Sequence, residues 1–215
     1  MIDEQDAGSE LFLVVEAGES AQGRLTAALT AAPIASVLIV PPAGQELDAS
    51  KVKPLVEQAQ SHGAATLVLD DAALGRQIGA DGVHLTHGKD IESRYRAARQ
   101  TAGRGGIVGI DAGASRHDAM SLAEAGADYV AFGISTGFEQ PGAARERRLD
   151  LIAWWAEIFE VPCVALDVGT PEDAAELARA GADFIGVKIE TGSQLQEIGR
   201  RISTIASALR SAMAD

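Results

Sequence analysis

Cysteine is nearly absent: Cys163 is the only one in 215 residues. That excludes an internal disulfide and a cysteine-built zinc site, and its place in the apolar run VPCVAL reads as a small core residue. Basic residues are in deficit, with 18 Lys and Arg against 31 Asp and Glu and a net charge of -13. Such a chain repels nucleic acid and anionic membrane surfaces. No apolar run reaches the length that spans a bilayer, and the start, MIDEQDAGSE, is acidic and polar where a secretory signal is basic and then apolar. The expectation is a cytoplasmic protein with neither a nucleic-acid nor a membrane partner. Aromatic residues are scarce at 4%, yet 47% of the chain is hydrophobic, enough for one sizeable core. No linker or low-complexity stretch divides the sequence, so residues 1–215 are expected to form a single domain with a flexible segment at 1–10.

Present instead is a regular alternation of short apolar runs and amphipathic segments. Eight runs read as strands: Leu11–Glu16, Ala35–Val40, Ala65–Leu69, Gly82–Leu85, Gly106–Ile110, Tyr129–Gly133, Pro162–Leu166 and Phe184–Lys188. Several are apolar at nearly every position, as in strands of a parallel sheet buried on both faces. The segments between them carry helix ends. Thr170 and Ser115 are placed to cap helices, Pro171 stands at a first helical position, and Gly126 and Gly181 are placed to stop them. Gly-Ala-Asp recurs at 79–81 as Gly79-Ala80-Asp81, at Gly126–Asp128 and at Gly181–Asp183, each time between a helix and a strand. Eight strands, eight helical segments and such short joints predict an α/β fold, a (β/α)8 TIM barrel; an open doubly wound sheet would need fewer strands.

In that fold chemistry sits at the C-terminal ends of the strands, so the Gly-Ala-Asp joints lie on the wrong face for it. The polar residues at the other end are Glu16, Asp70, Asp71, His87, Asp111, Ser135, Thr136, Asp167 and Lys188. Asp70 and Asp71 suit a hard cation such as Mg2+, and equally a helix N-cap. Asp167 and Lys188 end neighbouring strands, where they read either as an anion site or as an ion pair closing the mouth. His84, inside the fourth strand, reads as a general acid or base or as a satisfied core histidine. Arg145, Arg147 and Arg148 cluster in the expected loop after strand six, where they could close over a phosphorylated ligand or form an ion-paired surface. Trp154 and Trp155, with Leu151, Ile152 and Phe159, form an aromatic helix face of the kind that can bury in a homodimer.

Together, LVLDDAALGRQIGADGVHL, SLAEAGADYVAFG and VPCVAL...TPEDAAELARAGADFIGV resemble the thiamine phosphate synthase and thiazole tautomerase family from about Leu11 to about Ile189. The resemblance implies a (β/α)8 barrel that joins a hydroxymethylpyrimidine diphosphate to a thiazole phosphate, releasing diphosphate with Mg2+. It therefore implies a small phosphorylated or heteroaromatic ligand. Carried over by position, it makes Asp71 the metal-binding aspartate after strand three and, with a one-residue shift, Asp90 the second. Strand two, VLIVPP, lacks the family's Gln, Arg and Lys for the diphosphate, and GFEQPGAA replaces the Thr-x-Thr-Lys loop after strand six. The phosphate-binding Gly-Gly after strand seven reads Asp167-Val168, the phosphate-contacting serine after strand eight falls near Lys188, and the tautomerase histidine falls on Ala114. Substrate contacts on this reading pass to Lys188, Asp167, Ser135, Arg145, Arg147 and Arg148. Two alternatives stand beside it: a ligand-binding or regulatory homologue without catalysis, and a lyase or aldolase working through Lys188.

Overall fold

The structure, a computed structural model, describes residues 8–134 and 141–212. Eight parallel strands close into a barrel in chain order. The elements are β1 Glu10–Glu16, α1 Ala21–Ala31, β2 Ser36–Val40, α2 Ala49–Ser61, β3 Ala65–Leu69, α3 Ala72–Ile78, β4 Gly82–Leu85, α4 Ile91–Ala102, β5 Ile107–Asp111, α5 Arg116–Glu124, β6 Tyr129–Phe132, α6 Pro141–Ile158, β7 Cys163–Ala165, α7 Pro171–Arg179, β8 Phe184–Ile189 and α8 Leu195–Ala212. The predicted strands are therefore all present, with ends displaced by at most one residue. The displacement matters at β5, where Asp111 belongs to the strand rather than to the loop behind it. Among the described residues no helix is long and apolar enough to cross a membrane.

Alternation along each strand divides the apolar residues between two cores. One set points inward, where Phe12, Leu38, Leu67, Tyr129, Ala131 and Val164 fill the barrel. The other set packs outward under the helices, with Val37, Ile39, Val68, Val130, Ile185 and Val187 against Leu25, Leu55, Leu122, Ile152 and Ile205. This two-sided burial explains why the strands read as nearly continuous apolar runs. The inner core depends on one glycine in particular: a Cβ on Gly109 would lie 1.9 Å from the Tyr129 ring, so the large side chain on β6 fits only because β5 has none at that point.

The expected caps are in place. Ser115 Oγ accepts from Asp118 N at 3.1 Å, and Thr170 Oγ1 accepts from Asp173 N at 3.2 Å. Gly126 and Gly181 take φ of 96° and 97° in the left-handed region that lets a helix stop and the chain turn into a strand. The aspartate of the joint does something the sequence reading did not foresee. Asp81 accepts from Thr66 N at 2.7 Å, Asp128 from Val108 N at 2.7 Å and Asp183 from Cys163 N at 2.8 Å, so each carboxylate ties the joint to the start of the preceding strand.

Trp155 lies wholly within the core, stacked on Phe159 with ring centroids 4.1 Å apart, and so is not part of an open face. Trp154 is half-buried, with the Arg116 guanidinium 4.6 Å above its ring.

Candidate functional site at the barrel mouth

By strand parity, Asp111 continues the inward series of Ile107 and Gly109, and Lys188 that of Phe184 and Gly186. Both therefore reach the C-terminal mouth of the barrel. A cleft of about 500 Å³ opens there between the ends of β5, β6 and β7, bordered by His87, Asp111, Gly113, Ser115, Ile134 and Asp167. Burial pushes the Asp111 carboxyl above its usual range, and the nearby Asp167 and Asp70 charges add to the rise; the Gly113 N–H, donating at 2.7 Å, and His87 work against it. His87 in turn lies with Nε2 3.3 Å from Asp118 Oδ2, at the start of α5.

Beneath the mouth, inside the barrel, His84 Nδ1 and the Tyr129 hydroxyl share a hydrogen bond of 2.7 Å. Both groups are buried, and desolvation moves them in opposite directions: the imidazole falls to about 4 and the phenol rises. His84 is thus a neutral, satisfied core histidine at physiological pH, the second of the two expected roles.

Asp167 departs from expectation. It forms no ion pair with Lys188; its Oδ2 instead accepts from Ile134 N at 2.9 Å, across the β6–β7 gap. Its φ of 60° lies in the left-handed region, which glycine adopts without cost and aspartate tolerates. The chain therefore sets a carboxylate on a left-handed turn at the position where the family resemblance places a glycine. Lys188 remains exposed, while its carbonyl accepts from Arg201 Nη1 at 3.0 Å.

The basic cluster also needs correction. Arg145, Arg147 and Arg148 lie on α6 and not in a loop. Arg148 is fully buried, donating from Nη1 to the Leu166 carbonyl at 2.5 Å and from Nη2 to Asp173 Oδ1 at 2.6 Å. Its two Nη groups hold the end of β7 to α7, and its burial removes it from the role of a mobile phosphate clamp. Arg145 and Arg147 are exposed, and Arg145 borders a groove with Glu146, Glu172 and Glu176 that disfavours anions. Ser135 and Thr136 lie outside the described residues.

At the ends of β3 and β4, Asp71 caps α3, its Oδ1 accepting from Leu74 N at 2.9 Å. Asp90 stands at the start of α4, exposed, with Oδ1 3.8 Å from Arg94 Nη1. Arg94 also donates to Asp70, which carries a φ of 57° and accepts from Thr86 N and Thr86 Oγ1 at 2.8 and 2.7 Å. Among the described residues no group of three or more His, Cys, Asp or Glu side chains could hold a metal ion. The sequence reading missed this role of Arg94, although its spacing of four from Asp90 on one helix was visible. It also missed Arg24, buried on α1 with its guanidinium on the Glu16 and Glu19 carbonyls at 2.9 and 2.7 Å.

A closed eight-stranded parallel barrel with an open cleft at its C-terminal end defines a protein of the (β/α)8 class, a fold in which active sites sit at that mouth. Within that class, residues 11–189 match the family model for thiamine monophosphate synthase, and the chain belongs to this family. It is 40% identical to the thiamine-phosphate synthase of Rhodospirillum centenum over 166 residues, 76% of this chain and 78% of that protein. Thiamine-phosphate synthases of Erythrobacter litoralis and Hyphomonas neptunium are 42% and 43% identical over 137 and 129 residues. Those two matches cover 63% and 60% of this chain, and 63% and 57% of the relatives, less than two thirds of their length. Among solved structures, a thiamine phosphate pyrophosphorylase from Pyrococcus furiosus superposes with a TM-score of 0.70 at 18% identity, covering 96% of this chain and 98% of that one. A tryptophan synthase α-subunit mutant from the same organism superposes with a TM-score of 0.72 at 14% identity, over 93% and 98%. At such identities the likeness is one of fold.

Proposed function

We propose that this chain acts in thiamine biosynthesis as a thiamine-phosphate-synthase-like transferase. Its two substrates, a hydroxymethylpyrimidine diphosphate and a thiazole phosphate, meet at the barrel mouth and are joined with release of diphosphate. The observation that carries this reading is the match to the family model across residues 11–189, a span that includes every strand end bordering the cleft. Lys188, the inward-facing cation at the end of β8, receives the smaller phosphate. Asp111, whose carboxyl is held above its usual range by burial, borders the cleft. Arg148 has no part in binding, since it is fully buried and its Nη1 and Nη2 are engaged by Leu166 and Asp173. Incubation of the purified chain with the two substrates and Mg2+ should form thiamine phosphate, and Lys188→Ala should raise the KM for the thiazole phosphate. Absence of product above background removes the synthase reading.

A second reading is favoured by one observation: Asp167 places a carboxylate where the family resemblance expects phosphate-binding glycines. On that reading the barrel binds a thiamine intermediate without turning it over. Thermal stabilisation by an intermediate, with no product, separates this outcome from the first.

A further inference from the structure

The family resemblance puts a divalent cation between carboxylates at the ends of β3 and β4, and the residues at that corner do not fit one. Arg94 reaches back from the first turns of α4 into the space between them. Its Nη2 donates to Asp70 Oδ1, its Nη1 donates to the Thr86 carbonyl at 2.9 Å, and the same Nη1 lies 3.8 Å from Asp90 Oδ1. Both oxygens of Asp70 are engaged, since Oδ1 also accepts from Thr86 N and Oδ2 accepts from Thr86 Oγ1, which leaves at most one free lone pair, on Oδ2. Asp71, the neighbour, directs Oδ1 into the α3 N-terminus. A hard cation needs several oxygen ligands and repels a guanidinium at this distance. The Asp70 carboxylate is already paired with a cation that belongs to the chain.

We propose that Arg94 holds the place of the divalent cation, as a covalently attached counter-ion that joins the ends of β3 and β4 and makes this corner of the mouth independent of metal. The inference takes from the proposed function only the place where a metal would sit; catalytic turnover does not enter its test. A fixed guanidinium and a divalent ion differ in what they ask of their surroundings. The guanidinium satisfies carboxylates and a carbonyl through directed N–H donors, which is what Asp70 and Thr86 provide. It is not lost to chelators, and it brings one charge where the metal would bring two.

Mn2+ titration of the purified full chain, followed by electron paramagnetic resonance, tests this. The wild type is expected to show no saturable site, only the weak, unsaturated uptake of an acidic surface. Arg94→Met should gain one saturable Mn2+ per chain, Arg94→Met combined with Asp70→Asn should lose it again, and Arg94→Lys, which keeps a cation, should not gain it. If Arg94→Met does not fold, Arg94→Gln takes its place. A saturable site in the wild type that Asp71→Asn removes would overturn the proposal, as would a folded Arg94→Met or Arg94→Gln protein that gains none. A chain that makes no thiamine phosphate leaves these outcomes unchanged, so the two readings fail separately.

Discussion

Acid should destabilise this barrel through one residue. His84 is buried, and desolvation lowers its pKa from 6.5 to about 4 in the folded state. Above pH 6.5 the imidazole is neutral in both the folded and the unfolded chain and contributes nothing to the pH dependence. Between 6.5 and about 4 the unfolded chain binds a proton that the folded chain refuses, so stability falls as pH falls through that window. At 1.36 kcal/mol per pKa unit the loss amounts to about 3 kcal/mol by pH 4. For a domain of this size that corresponds to a Tm lower by roughly 6 to 12 °C. Asp111 acts in the opposite sense, because its carboxyl is raised in the folded state and protonates there first, relieving a charge whose burial is costly. The two effects are separated by a variant. Urea unfolding of the wild type and of His84→Gln should be compared from neutral pH to pH 4; Asp111 is common to both, so the difference in slope belongs to His84. The wild type should lose about 3 kcal/mol more than the variant. Parallel slopes would show that the imidazole does not titrate as a buried group, and the account of the inner core would be wrong.

Removing one partner of the buried Arg148–Asp173 pair should cost about 3 to 5 kcal/mol, since the other charge is left uncompensated. A double-mutant cycle of Arg148→Met and Asp173→Leu by urea unfolding should show a double variant much less destabilised than the sum of the two singles. Gly109→Ala should lower stability by at least about 1 to 3 kcal/mol through overpacking, because the new Cβ meets the Tyr129 ring, and the double variant with Tyr129→Ala should be less destabilised in urea unfolding than the sum of the two singles. Asp128→Ala, which removes the acceptor for Val108 N, should cost about 1.5 to 3 kcal/mol, whereas Asp150→Ala on the exposed side of α6 should stay within about 0.5 kcal/mol. Equal effects at these two positions would refute the role assigned to the joint.

The barrel was legible because its signals are local. Apolar runs, the caps at Ser115 and Thr170 and the stops at Gly126 and Gly181 all act within a few residues, and each took the expected conformation. The mouth was less legible because its contacts join residues far apart in the chain. Arg148 is bound to a carbonyl and a carboxylate 18 and 25 residues away, so its place beside Arg145 and Arg147 in sequence said nothing of its burial. Asp70 and Asp71 are adjacent and read alike, yet one turns to Arg94 and the other caps α3; backbone conformation, with Asp70 in the left-handed region, separates them. The expected Asp167–Lys188 pair failed for a similar reason. A left-handed turn points the Asp167 carboxylate toward β6, away from β8.

The three carboxylate ties at Asp81, Asp128 and Asp183 have a bearing on how the barrel assembles. Each spans only 15 or 20 residues, so β3–β4, β5–β6 and β7–β8 each carry a short-range latch. Contacts of that range form with little loss of loop entropy and favour early, independent pairing. The joint before β2, Pro33-Ile34-Ala35, has no aspartate to do the same. The pair β1–β2 relies instead on its own ladder, Phe12–Glu16 against Ser36–Val40, and on the closure of β1 on β8, which Ser9 Oγ reinforces by donating to the Ala182 carbonyl 173 residues away. The ring is therefore three βαβ units, each tied by a carboxylate at its joint, and one pair, β1–β2, joined by its long ladder without such a tie.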